Sequence, residues 1–128
     1  MAILLEAGYQ MISSAENESQ YLKLADRIYF HPMLLPYPQS QSLNEKELTF
    51  FCDGLQRVSK DISAFAPEDS SLIIALRQIY FSDCYIQNEG FTACAIQWAS
   101  ETFRFPMPNI TTYFDEASWK YIYDFSFV

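Results

Sequence analysis

Glycine is scarce in this chain, and so are the residue types from which most catalytic motifs are built. Three glycines in 128 residues argue against a phosphate-cradling loop, whose backbone must approach an anion more closely than a Cβ allows. The one histidine, His31, stands in Phe30-His31-Pro32 at a proline-marked break. A triad needs such a base to be held by an orienting group beside a nucleophile, and no G-x-S-x-G elbow is present. Cys52, Cys84 and Cys94 are odd in number and lack C-x-x-C spacing, which speaks against a secreted disulfide framework and against a thiolate zinc site. No metal or cofactor is expected. Long apolar runs are missing too: nothing approaches the ~18 residues of a membrane helix. The first twelve residues have no basic start and are interrupted by Glu6, so they make a poor signal peptide. These absences point to a soluble, cytoplasmic chain with no membrane partner.

What is plentiful is acid and aromatic surface. The net charge of −8 is unevenly spread. Residues 1–60 carry seven acidic and five basic groups, whereas residues 61–128 carry nine acidic groups against Arg77, Arg104 and Lys120, hence −6. A field of that sign repels nucleic-acid phosphates and anionic lipid and attracts basic proteins, although solubility alone would also account for it. Aromatics make up 17% of the chain, and nine of them fall between Phe103 and Phe127. The length fits a single domain, 1–128, which buries roughly two thirds of its unfolded surface without a disulfide or metal.

Periodicity suggests helices first and strands last. Residues 2–12 read as a short helix. Ser13-Ser-Ala-Glu16 reads as a capping box for a second, with Tyr21, Leu24, Ala25 and Ile28 on one face, ending before Pro32. Ser42-Leu-Asn-Glu45 is another such box, and Leu48, Phe51, Leu55, Val58, Ile62 and Phe65 then draw one apolar stripe, which predicts a helix over 43–63. Past Pro67, a short helix or turn ending near Leu76 is the preferred reading over a strand around Ile73-Ile74. Residues 88–103 could be a helix lining up Phe91, Ala95, Trp98 and Thr102. The preferred reading is a hairpin about Asn88-Glu89-Gly90, with Cys84 facing Cys94 and Tyr80 facing Trp98. From Trp119 to Phe127 the odd positions are all aromatic, which is a strand signature. Ile110–Phe114 is its partner, joined through Asp115–Ser118, and Glu101–Phe105 could add a further strand. The expected fold is α+β, with N-terminal helices, clearest at 43–63, packed on a C-terminal antiparallel sheet whose odd-numbered aromatic face is core.

No catalytic group stands out. Cys52 reads as a small buried hydrophobe. The acid pairs Glu68-Asp69 and Asp115-Glu116 lie in loops or caps, where carboxylates are solvated or serve a helix dipole. Tyrosine and tryptophan mixed with carboxylates have the make-up of a surface that grips a basic partner, and an aromatic core with a wet rim explains the composition equally well. The candidate partner-binding residues are Tyr113, Asp115, Glu116, Trp119 and Asp124. The expectation is a non-enzymatic binding module, a monomer or weak dimer that does not touch nucleic acid directly. In its concrete form this is a cytoplasmic immunity protein that occludes a basic bacterial toxin, a nuclease. Alternatives are a phage- or plasmid-encoded mimic of nucleic acid, a small secretion chaperone, and a small enzyme with a carboxylate base in an aromatic pocket.

Overall fold

A computed structural model describes residues 3–13, 21–31, 43–81, 87–126 and 128. In chain order the elements are β1 (Ile3–Ser13), β2 (Leu22–Ala25), β3 (Ile28–His31), α1 (Glu45–Arg57), α2 (Ser59–Phe65), β4 (Ser70–Phe81), α3 (Asn88–Phe103), β5 (Thr111–Asp115) and β6 (Lys120–Asp124). The main sheet has the order β1-β4-β3-β2. Its second strand, β4, runs antiparallel to β1 and parallel to β3. Parallel neighbours need a long crossover, and α1 with α2 supplies it.

The expected arrangement of N-terminal helices on a C-terminal sheet is therefore overturned. The main sheet is built from the N-terminal strands and β4, the helices come from the middle of the chain, and strands stand at both ends. The reason lies in two-sided burial and in one bulge. Ile28, Phe30, Leu72, Ile74, Leu76 and Ile79 face the helices, whereas Tyr29 and Ile73 join Ile12 in a second apolar cluster. Strands buried on both faces read as near-continuous apolar runs and lose their alternation. In β4 the register shifts opposite Glu6/Ala7, so Ile79 pairs with Leu5 and Leu76 with Ala7. The bulge takes up one extra residue, and the resulting spacing of Leu72, Leu76 and Ile79 imitates a helical face. In β1, half-buried Ile3, Leu5 and Ala7 pack on the core while Glu6 and Gln10 are exposed.

Residues 22–28 form a strand pair, not the expected helix. Its turn places Arg27 in the left-handed region at φ 63°. The Arg27 guanidinium donates to the carbonyls of Pro67 at 2.7 Å, Ser70 at 3.0 Å and Ser63 at 3.2 Å, tying that turn to the end of α2. The box expected at Ser13–Glu16 lies, apart from Ser13, outside the described residues, as do Pro32 and Cys84.

The 43–63 stripe does fold as helix, broken at Val58, which closes α1 and opens α2. Its capping box is set two residues later than expected: Asn44 Oδ1 accepts from the Glu47 amide at 2.8 Å, and the Asn44 amide donates to Glu47 Oε1 at 2.9 Å. Residues 88–103 form α3 and not the preferred hairpin, and Glu101–Phe103 is its last turn rather than a strand. Phe91, Ala95, Ile96 and Ala99 are fully buried. Apolar contacts reach so far round α3 that no single stripe marks it as a helix. It crosses α1 closely at Gly54, where a Cβ would run into the Thr92 carbonyl oxygen and lie 2.9 Å from the Ala95 Cβ.

Candidate functional site

The two C-terminal strands do pair, in the register Thr111↔Asp124 through Asp115↔Lys120, but β6 is shorter than the expected 119–127, with Trp119 in the turn and Asp115 in β5. They form a separate two-stranded sheet. At its tip, Asp115 accepts from Ser118 Oγ at 2.6 Å and from the Ala117 amide at 3.3 Å, and Trp119 completes the turn at φ 56°. The Ser118 hydroxyl first, with the Ala117 and Ser118 amides and Lys120, holds the Asp115 carboxyl below its usual range. At the base, the Ser126 hydroxyl and amide do the same for Asp124.

Among the described residues, Gln87 and Arg57 fasten the hairpin to the helices. The Gln87 side-chain amide donates to the Tyr121 carbonyl at 2.8 Å and accepts from the Tyr121 amide at 2.9 Å, standing in for a neighbouring strand. Arg57, paired with Asp53 at 2.9 Å, lies over the Phe125 ring at 5.1 Å. Tyr123 stacks on Phe125 at 6.0 Å, and partial burial with Glu89 and Tyr121 nearby pushes its phenol up.

Cross-strand partners share a face and successive residues alternate. One face therefore carries Thr112, Phe114, Tyr121 and Tyr123, and the other carries Thr111, Tyr113, Asp115, Lys120, Ile122 and Asp124. The Trp119 ring belongs to the first face, 5.2 Å from Phe114, which is in turn 5.3 Å from Tyr121. These rings are open to solvent: Trp119 is 77% exposed, Tyr113 56%, Tyr121 51% and Phe114 41%.

The structure thus brings the five sequence-predicted residues onto one hairpin but divides them. Tyr113, Asp115 and Asp124 share one face, Trp119 stands with the rings of the other, and exposed Glu116 sits in the turn. The odd-numbered face expected as core is not covered at Trp119 or Tyr121. Phe114 and Tyr121 are the residues that sequence reasoning missed. The sequence puts both in the paired strands without fixing their register, and no pattern in the strands says whether a second layer will cover them. Phe127 lies outside the described residues.

Other candidate chemistry is dispersed. Cys52 lines a cleft of about 370 Å³ between β2 and α1, with Leu22, Glu45, Leu48 and Gln56. Burial pushes its thiol up to about 11, and burial with Glu101 does the same for Cys94. A thiol so disposed is a poor nucleophile at neutral pH. His31 ends β3 with its ring 5.7 Å from Tyr21, and Glu68 and Asp69 are exposed in the turn before β4. Among the described residues no three of His, Cys, Asp and Glu gather in a metal-binding arrangement, and no helix is long and apolar enough to cross a membrane. No protein-family model, curated protein or solved structure matches this chain.

Proposed function

We propose that this protein is a binding module that neutralises a basic protein partner, acting as a cytoplasmic immunity protein that covers the cationic surface of a bacterial toxin of the nuclease type. The observation that carries this reading is the Phe114–Trp119–Tyr121 ring cluster, held open to solvent on a hairpin. Trp119 adds to it. A bulky residue at φ 56° sits where glycine or asparagine costs less, so local folding does not explain the indole, and residues held in such conformations concentrate at binding sites. Tryptophan and tyrosine dominate interface hot spots. Asp115 and Asp124 lie on the other face of the hairpin and exposed Glu116 in its turn; within the −8 field of the chain, these carboxylates speed encounter with a cation-rich surface. The mechanism is occlusion: the rings seat in the partner, and the carboxylates compete for the cationic groups that would hold phosphate.

The test is affinity capture from cell extract at low salt, followed by calorimetry with the recovered protein. A basic partner should bind, and Trp119→Ala should weaken binding at least 30-fold, corresponding to about 2 kcal/mol. Recovery of no basic protein, or unchanged affinity for the Trp119→Ala variant, contradicts the reading.

A further inference from the structure

The edge of the hairpin, as distinct from its faces, carries a second surface. Both main-chain groups of Tyr121 point at Gln87, away from β5. Tyr121 is opposite Phe114, so this is a non-hydrogen-bonded pair, and the Phe114 N–H and C=O point outward on the far side of β5. The same parity turns the Thr112 N–H and C=O outward. Among the described residues, no main-chain bond reaches either residue from outside the hairpin. Two strands alone are marginally stable in water, and proteins usually blunt such an edge with lysine, proline or a bulge. Along Thr111-Thr112-Tyr113-Phe114 there is neither charge nor proline, and all four residues are exposed.

We propose that β5 pairs antiparallel with β5 of a second copy of this chain, about a two-fold axis at Tyr113. The register follows from the outward groups. In the register that pairs both outward residues within β5, Thr112 of one copy faces Phe114 of the other, exchanging both main-chain bonds, and the symmetry repeats this pair. Tyr113 then meets Tyr113, an aromatic cross-strand pair. Asp115 faces Thr111, so no like charges stand opposite each other. The edge favours a second copy over a basic strand because its only charge, Asp115, is already opposite Lys120 and bonded to Ser118. The two-fold axis is perpendicular to the sheet, so both Phe114–Trp119–Tyr121 clusters come to lie on one face of a four-stranded sheet, unobstructed by the pairing. The interface is small, and the chains repel through −8 each. The dimer is therefore weak and tightens as salt rises, opposite to a complex with a basic protein.

Sedimentation equilibrium of the full chain between ~10 and ~500 µM tests this, a range suited to weak association. The apparent mass should rise from 14.9 kDa toward twice that value, more steeply at higher salt. The Thr112 and Phe114 amides should gain hydrogen-exchange protection with concentration. Thr112→Pro removes an outward N–H without touching the β5–β6 ladder and should weaken association at least tenfold, whereas Thr112→Val should not. A mass that stays monomeric overturns the proposal. So does self-association with protection along β1 or β2 instead, or protection of the Phe114 amide only when a basic protein is bound. The exchange measurement on the unaltered chain decides even if the proline variant fails to fold. Because it needs no partner protein, its failure leaves the proposed function standing, and the converse holds too.

Discussion

Trp119 separates stability from binding at the residue scale. Its left-handed backbone costs roughly 1–2 kcal/mol for an L-residue, and among the described residues its ring makes an edge contact with Phe114, 5.2 Å away. Trp119→Gly relieves the first and forfeits the second. Thermal unfolding should therefore stay within about 1 kcal/mol of the unaltered protein while partner binding is lost. A large destabilisation would mean that the indole serves the fold. Asp115 and Asp124 give a pH dependence of definite sign. Both carboxyls sit below their usual range when folded. Their contribution is thus fully present above the unfolded value of about 3.9 and is lost as pH falls through the lowered folded values. The hairpin tip should loosen on acidification below that point, seen as a shift in Trp119 emission. Asp115→Asn should loosen it already at neutral pH.

The helical crossover was legible because one face alone is buried, whereas β4 and α3 were hidden by burial on more than one side. The stripe from Leu48 to Phe65 announces the helical crossover because α1 and α2 expose their other side to solvent. It overlooked the break at Val58 and put the cap at Ser42 where Asn44 serves; the break itself carries no glycine or proline. For β4, two-sided burial and the bulge at Arg77 replaced strand alternation with a helix-like spacing. Burial round most of α3 allowed a hairpin reading that matched Tyr80 with Trp98. The junction of α1 and α3 rests on a missing side chain: Gly54 lets the backbone of Thr92 come close, and Thr92 Oγ1 donates to the Phe50 carbonyl at 2.8 Å. Gly54→Ala must push the helices apart and should cost about 1–3 kcal/mol, as overpacked cores do, read as a lower denaturant midpoint with unchanged slope. A neutral or stabilising result would contradict the close crossing.

The whole molecule places its sheet, its helical layer and its hairpin in different relations to solvent. The helices cover one face of the main sheet, and a smaller apolar cluster of Ile12, Tyr29 and Ile73 lies apart from that core. The hairpin is fastened by Gln87 and Arg57, with rings left open. Composition showed the aromatic and acidic excess of the C-terminal half, but only the packing shows that Tyr113, Phe114, Trp119 and Tyr121 lie on the surface while Phe103 and Phe125 join the core. Hydrogen exchange of the chain with and without the basic protein captured at low salt tests that assignment most directly. Slowed exchange concentrated between residues 111 and 124 is the expected result. Slowed exchange at the β2–α1 cleft or along β1, with the hairpin unchanged, would contradict it.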